Sequence, residues 1–160
     1  MSSHLSLKMA QAIDATTDSI KLQMESRTFR AANELRSTAL QVLRGQRNGR
    51  RYKVPGTYRK QRDKATGKTK SGRYYTASAP GEPPAVRTGA FRLSWQPTAR
   101  VVFGHYVARI ESDLRTANGQ HTLGEILEKG TSRMAPRPYQ NAILQKSVPK
   151  IMKIYNEPYV

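Results

Sequence analysis

Apolar residues recur at three- and four-residue steps through the first 43 positions. Met9, Ile13, Thr16 or Thr17, Ile20 and Met24 form one series, and the spacing predicts a helix. A second series, Phe29, Ala32, Leu35, Ala39, Val42 and Leu43, shares one face and ends at Gly45, a natural stop. Ser26 is placed to cap this second segment. The expectation over 5–44 is one long helix or a bent pair, with the break at Ser26 to Thr28. The stripe reads as a core-facing surface, because it is too short for sustained heptads.

The pattern changes after Gly45. Between residues 45 and 76 few aliphatic residues occur beyond Val54, and Tyr52, Tyr58, Tyr74 and Tyr75 punctuate a basic stretch. Such a segment cannot offset its own ordering entropy by burial. It predicts a loop or an extended hairpin, ordered when a partner holds it. Residues 76–89 carry Pro80, Pro83 and Pro84, which block a helix and force extended backbone. That composition predicts a stiff connector.

From Ala90 to Asp113 the alternation predicts strands. Phe91, Leu93 and Trp95 fall on one face until Pro97, and Arg100 to Phe103 and Tyr106 to Glu111 form two more short runs around Gly104-His105. Trp95, the single tryptophan, reads as core rather than as a platform for bases. Asn118-Gly119 marks a turn, Leu123 to Glu128 a strand or a single helical turn, and Gly130 its end. Pro138 to Tyr155 predicts a helix with Leu144, Val148, Ile151 and Tyr155 on one face and Lys146, Lys150 and Lys153 towards solvent. Pro149 inside that helix predicts a kink, or a restart capped by Ser147.

Length predicts one domain over 1–160. Its segments are 5–44 helical, 45–76 a basic loop or arm, 77–135 a sheet region and 137–156 a helix. Counting Gly and leaving out Tyr, apolar residues are about 39% of the chain, against about 45–50% in ordinary domains. A core this thin predicts help from neighbouring subunits. Charge adds to that expectation, since 28 basic residues face 11 acidic ones for a net +17. Such an excess disfavours a compact monomer and attracts polyanions. Most of it is local: Arg44, Arg47, Arg50, Arg51, Lys53, Arg59, Lys60, Arg62, Lys64, Lys68, Lys70 and Arg73 are opposed only by Asp63. These twelve are the candidate contacts to double-stranded DNA or to a neighbouring ring of subunits.

Candidate chemistry is sparse. With no cysteine, a disulfide framework and thiolate metal sites are excluded. Gly67-Lys68-Thr69 resembles the end of a phosphate-binding loop, but Arg62 stands where that motif needs glycine, and no hydrophobic strand precedes it. His4, His105 and His121 show no metal-binding spacing. Ser78 or Ser94 with His105 lacks a nucleophile-elbow sequence. Glu111, Asp113, Glu125 and Glu128 cluster loosely, as a metal-dependent nuclease requires, yet read as exposed strand-end and helix-face charge. The expectation is no enzyme, no cofactor and no metal. No run approaches the ~18 apolar residues of a membrane span, and residues 1–8 do not have the form of a secretory signal.

Two segments carry a more specific signal. The first is Ala77-Ser78-Ala79-Pro80-Gly81-Glu82-Pro83-Pro84 followed by Arg87-Thr88-Gly89-Ala90-Phe91-Arg92-Leu93-Ser94. The second is Leu127-Glu128-Lys129-Gly130-Thr131-Ser132-Arg133-Met134-Ala135-Pro136-Arg137-Pro138-Tyr139. Their order, and the link of the second to a C-terminal helix, resemble the neck or tail-completion proteins of tailed bacteriophages over roughly residues 78–144. The family more often has an aromatic residue where Lys129 stands. The resemblance implies an α+β fold, with a long N-terminal helix and a C-terminal helix on a small antiparallel sheet, and a turn at Thr88-Gly89 leading into a strand. It further implies a non-enzymatic virion subunit at the head–tail interface, assembled in the host cytoplasm. Its copies would close a ring, six- or twelve-fold, between portal complex and tail tube. Adjacent connector and tail proteins are the implied partners, with DNA in the channel and no membrane. Glu128, Thr131, Arg133, Arg137 and Tyr139 are the candidate subunit-interface residues. For Arg137, between two prolines, the expectation is a fixed salt bridge within or between subunits. A tail terminator ring and a basic nucleic-acid-binding module remain the alternatives.

Overall fold

The computed structural model describes residues 2–54 and 73–159. Helix α1 spans Ser2–Arg44, followed by strands β1 (Arg51–Lys53) and β2 (Tyr74–Thr76). A short helical turn α2 (Ala90–Leu93) precedes β3 (Gln96–Val102) and β4 (His105–Glu111). Helices α3 (Leu123–Lys129) and α4 (Gln140–Tyr155) complete the chain. The class is α+β. Among the described residues no helix is long and apolar enough to cross a membrane.

α1 runs unbroken through Ser26 to Thr28, so the expected break is absent. No Gly or Pro interrupts residues 2–44, and at the expected break Thr28 Oγ1 donates back to the Met24 carbonyl at 2.7 Å. Four of the six positions expected on the packed face, Ala32, Ala39, Val42 and Leu43, are buried, and Phe29 is not. Thr28, Ala31, Ala32, Thr38, Ala39, Val42 and Leu43 are buried, whereas Phe29 is 58% exposed. Small side chains here let α4 approach closely, and Ser147 on α4 is likewise fully buried, its hydroxyl donating to the Leu144 carbonyl at 3.1 Å.

That serine explains why only half of the expected face of α4 is packed: Ile151 and Tyr155 are half-buried and Lys146, Lys150 and Lys153 are exposed, as expected, but Leu144 and Val148 are not on the packed side. The buried series is Tyr139, Ile143 and Ser147, while Leu144 and Val148 are exposed. Both series fit a helical period, and the polar Ser147 disguises the packed one. The helix continues through Pro149 without a restart. Beyond it, the buried Arg27 donates to the carbonyls of Tyr155 (3.3 Å) and Pro158 (2.7 Å) and lies 4.0 Å over the Tyr159 ring. Arg30 pairs bidentately with Glu157 at 2.6 and 2.7 Å. These contacts fasten the end of the chain to the middle of α1.

The described residues form two separate two-stranded sheets, one at the ends of the basic segment 45–76 and one within 77–135. β1 and β2 pair antiparallel, with Arg51 opposite Thr76, and β3 pairs antiparallel with β4, with Gln96 opposite Glu111 and Val102 opposite His105. Ala90–Leu93 is helical rather than extended, so the expected strand through Phe91, Leu93 and Trp95 is corrected. The i, i+4 pair Phe91 and Trp95 packs inward and Leu93 points to solvent. Five residues carry too little periodicity to separate these alternatives. Pro97 sits within β3 opposite Ile110, tolerated because a two-stranded sheet has only edge strands. The hairpin turn is Phe103-Gly104, one position earlier than expected, and both residues have positive φ (49° and 78°).

The core joins α1 to this layer. Ala39, Val42, Leu43, Trp95, Tyr139 and Ile143 are buried together, with Phe91, Ile110, Leu127 and Ala142 against them. Phe91, Trp95 and Tyr139 meet edge to face at centroid distances of 5.5–5.8 Å. Each such pair contributes about 0.5–1.5 kcal/mol beyond area burial.

Candidate functional site

The two sequence segments that stood out are brought together in space. The connector before α2 meets the loop between α3 and α4 at Ser78 and Arg137, where an Arg137 guanidinium N–H donates to the buried Ser78 hydroxyl. Alongside, the Gly81 N–H donates to the Pro136 carbonyl at 3.2 Å, and the Arg137 N–H to the Leu127 carbonyl at 2.8 Å. The expected salt bridge at Arg137 is therefore replaced, within the chain, by a bond to a hydroxyl. No ion pair among the described residues includes Arg137.

Each loop is shaped by local chemistry. Gly130 has φ +76°, and a Cβ there would lie 2.6 Å from the Met134 carbonyl oxygen and 2.8 Å from the Pro136 nitrogen. Thr131 and Met134 exchange backbone hydrogen bonds at 2.8 and 3.2 Å, closing the turn. In the connector, the Glu82 carboxylate accepts the N–H of Ala79 (2.8 Å), the N–H of Asn48 (3.1 Å) and the Asn48 side-chain amide (2.8 Å). The Ala79 and Asn48 N–H groups hold the Glu82 carboxyl below the usual carboxylate range. Sequence reasoning missed Glu82, although a lone acid among prolines beside a basic stretch was its available signal.

The candidate interface residues divide into two groups. Glu128 and Tyr139 are engaged inside the chain: Glu128 Oε2 accepts the N–H of Tyr139 at 3.0 Å, and Tyr139 is 1% exposed. Burial pushes the Tyr139 hydroxyl up to about 12. Thr131 and Arg133 are exposed on the loop surface, and Arg137 is half-buried. Lys129 is exposed and pairs with Glu125 at 2.8 Å.

The basic candidates divide similarly. Arg47 is engaged internally, donating to the carbonyls of Val42 (2.9 Å), Gln46 (2.9 Å) and Pro84 (3.1 Å), so it caps α1 and ties it to the connector. Arg44, Arg50, Arg51, Lys53 and Arg73 are exposed. At the hairpin root Tyr52 stacks on Tyr75 at 5.8 Å, and Arg51 lies 4.5 Å over the Tyr74 ring. Arg59, Lys60, Arg62, Lys64, Lys68 and Lys70 lie outside the described residues, as do Tyr58 and Gly67-Lys68-Thr69.

A cavity of about 580 Å³ opens between the hairpin root, the connector, α2 and α3. Its wall is mainly apolar, including Leu43, Tyr75, Val86, Leu127 and Met134. Arg87, Arg92 and Arg137 also line it, and none of the three forms an ion pair among the described residues. The Arg92 Nε is buried without a hydrogen-bond partner.

The four acids weighed for a nuclease, Glu111, Asp113, Glu125 and Glu128, line a second cavity, and three of them are committed to partners within the chain. Glu111 pairs with Arg109 at 2.7 Å, Glu125 with Lys129, and Glu128 caps α4. Among the described residues no group of three His, Cys, Asp or Glu side chains could hold a metal ion. Ser94 bonds Ser112 at 2.6 Å, and Ser78 bonds Arg137, so neither pairs with His105.

Comparison with protein-family models, curated proteins and solved structures finds no match to this chain.

Proposed function

We propose that this chain is a structural subunit of a bacteriophage neck, a head–tail connector or tail-completion protein. Its copies form a closed ring between portal complex and tail tube, in the virion, after assembly in the host cytoplasm. The observation that carries this reading is the contact of Arg137 with Ser78. It joins the two segments whose sequence resembles that family. A thin core and exposed apolar surface support assembly over a solitary monomer. Leu7, Met9, Ile13, Leu22, Val101, Val102 and Phe103 are all exposed, Phe103 to 97%. The residues here shape loops and caps; the reading assigns them no reaction.

Mass measurement at micromolar concentration, with addition of the protein to separated phage heads and tails, tests the proposal. Rings, and restored joining of heads to tails, are the expected results. A stable monomer that joins nothing overturns it.

One observation favours a second reading, a polyanion-binding module. Arg50, Arg51, Lys53 and Arg73 present exposed cations beside the aromatic rings of the hairpin root. Binding of DNA or RNA by the isolated protein should then weaken steeply with salt. In a ring, the same cations would face the passing genome.

A further inference from the structure

We infer that the N-terminal half of α1 is an assembly arm that docks on the arginine-lined cavity of a second copy of this chain. The inference rests on the ring reading only for the existence of a second copy.

Residues 6–22 of α1 are exposed without exception, a projecting stretch of ~25 Å at 1.5 Å per residue. Its apolar stripe, Met9, Ile13 and Ile20, runs on through Met24 into the buried face at Ala31, Thr38 and Val42. The steps of four and seven residues keep one face throughout. The chain's own elements cover the second half of this stripe and leave the first half bare; Ile13 is 63% exposed.

Charge selects the occupant. Residues 1–25 carry Lys8 and Lys21 against Asp14, Asp18 and Glu25, a net −1 in a chain of +17. Two arms gain nothing electrostatically from each other, whereas an arm on the body of another copy meets opposite charge. The cavity offers apolar walls for the stripe and Arg87, Arg92 and Arg137 for the carboxylates of Asp14 and Asp18, the latter exchanging its exposed pair with Lys21 for them. It also lies at the opposite end of the packed helix, beside Leu43, while the arm leaves the body near Met24. A donor at one end and an acceptor at the other make a head-to-tail contact, the heterologous type that generates rings.

The chain's lack of cysteine permits a direct test in the full-length protein. Chains carrying Ile13→Cys are mixed with chains carrying Val86→Cys and treated with a short bismaleimide. The expected product is a mixed cross-linked pair, absent from either variant alone. Ile13→Asp should raise the concentration needed for self-association at least tenfold, and inverting Asp14 and Asp18 to Lys should weaken it until Arg87→Glu restores it. Cross-linking of Ile13→Cys with itself overturns the inference, because arms then pair with arms. So does linkage of Phe103→Cys, but not Ile13→Cys, to Val86→Cys, because the hairpin tip then fills the cavity. Unchanged rings in Ile13→Asp overturn it and leave the ring reading standing. A full-length protein that stays monomeric, cross-links nowhere and joins no heads to tails removes both.

Discussion

Glu128 Oε2 accepts the backbone N–H of Tyr139 at 3.0 Å and faces that of Gln140 at 3.4 Å, so a residue of α3 caps the N-terminus of α4. The carboxylate satisfies donors that the helix cannot, and its charge opposes the helix dipole. Glu128→Ala is expected to lower stability by about 1 kcal/mol. Glu128→Gln, which keeps an acceptor, should lose less. Urea unfolding with an unchanged slope checks both.

Gly130 and Gly119 provide a contrast. Both have positive φ, but a Cβ at Gly119 meets open space, while one at Gly130 meets the Met134 carbonyl and Pro136. Gly130→Ala should cost about 1–3 kcal/mol through strain and collision. Gly119→Asn should be nearly neutral, because Asn tolerates that conformation. Thermal unfolding of the two variants side by side gives the comparison.

Glu82 predicts an acid-limb effect. Its carboxyl is held low in the folded protein by the Ala79 and Asn48 N–H groups. The folded state therefore binds the proton less readily than the unfolded chain. The resulting stability is present above the ordinary carboxylate value of about 4.3 and is lost as pH falls through the lower folded value. Stability curves of Glu82→Gln should be flatter than wild type between about pH 5 and 3. Identical slopes would remove the assignment.

Tyr139 gives the opposite sign at high pH. Burial raises its hydroxyl to about 12, so the folded state keeps a proton that the unfolded chain releases near ~10. That contribution is whole below ~10 and declines as pH climbs towards about 12. One of the eight tyrosines should ionise late, or together with unfolding, and Tyr139→Phe should delete that step from the tyrosinate absorbance titration.

Much of the element order was legible because it depends on local pattern. The long run without Gly or Pro made α1 helical, the prolines of 80–84 kept the connector out of a helix, although it turns at Ala79 to Glu82 rather than running extended, and the run from Tyr106 to Glu111 made β4 a strand. The strand expected at Phe91 to Trp95 failed because i, i+2 and i, i+4 contacts coincide in so short a segment. The first half of the α4 face, at Leu144 and Val148, failed because burying Ser147 depends on what α1 brings against it.

By itself, then, the sequence determined the helices at both ends, the basic insertion with its charge, and the two loop segments worth comparing. The tertiary structure decided which side chains those segments keep for themselves. Glu128, Tyr139 and Arg47 are engaged within the chain, Thr131 and Arg133 remain on the surface, and the first half of α1 is left bare. The physical reason is range. Propensity and turn chemistry act over a few residues, whereas a cap reached across 11 positions, or a hydroxyl met across 59, exists only after the chain has folded back on itself.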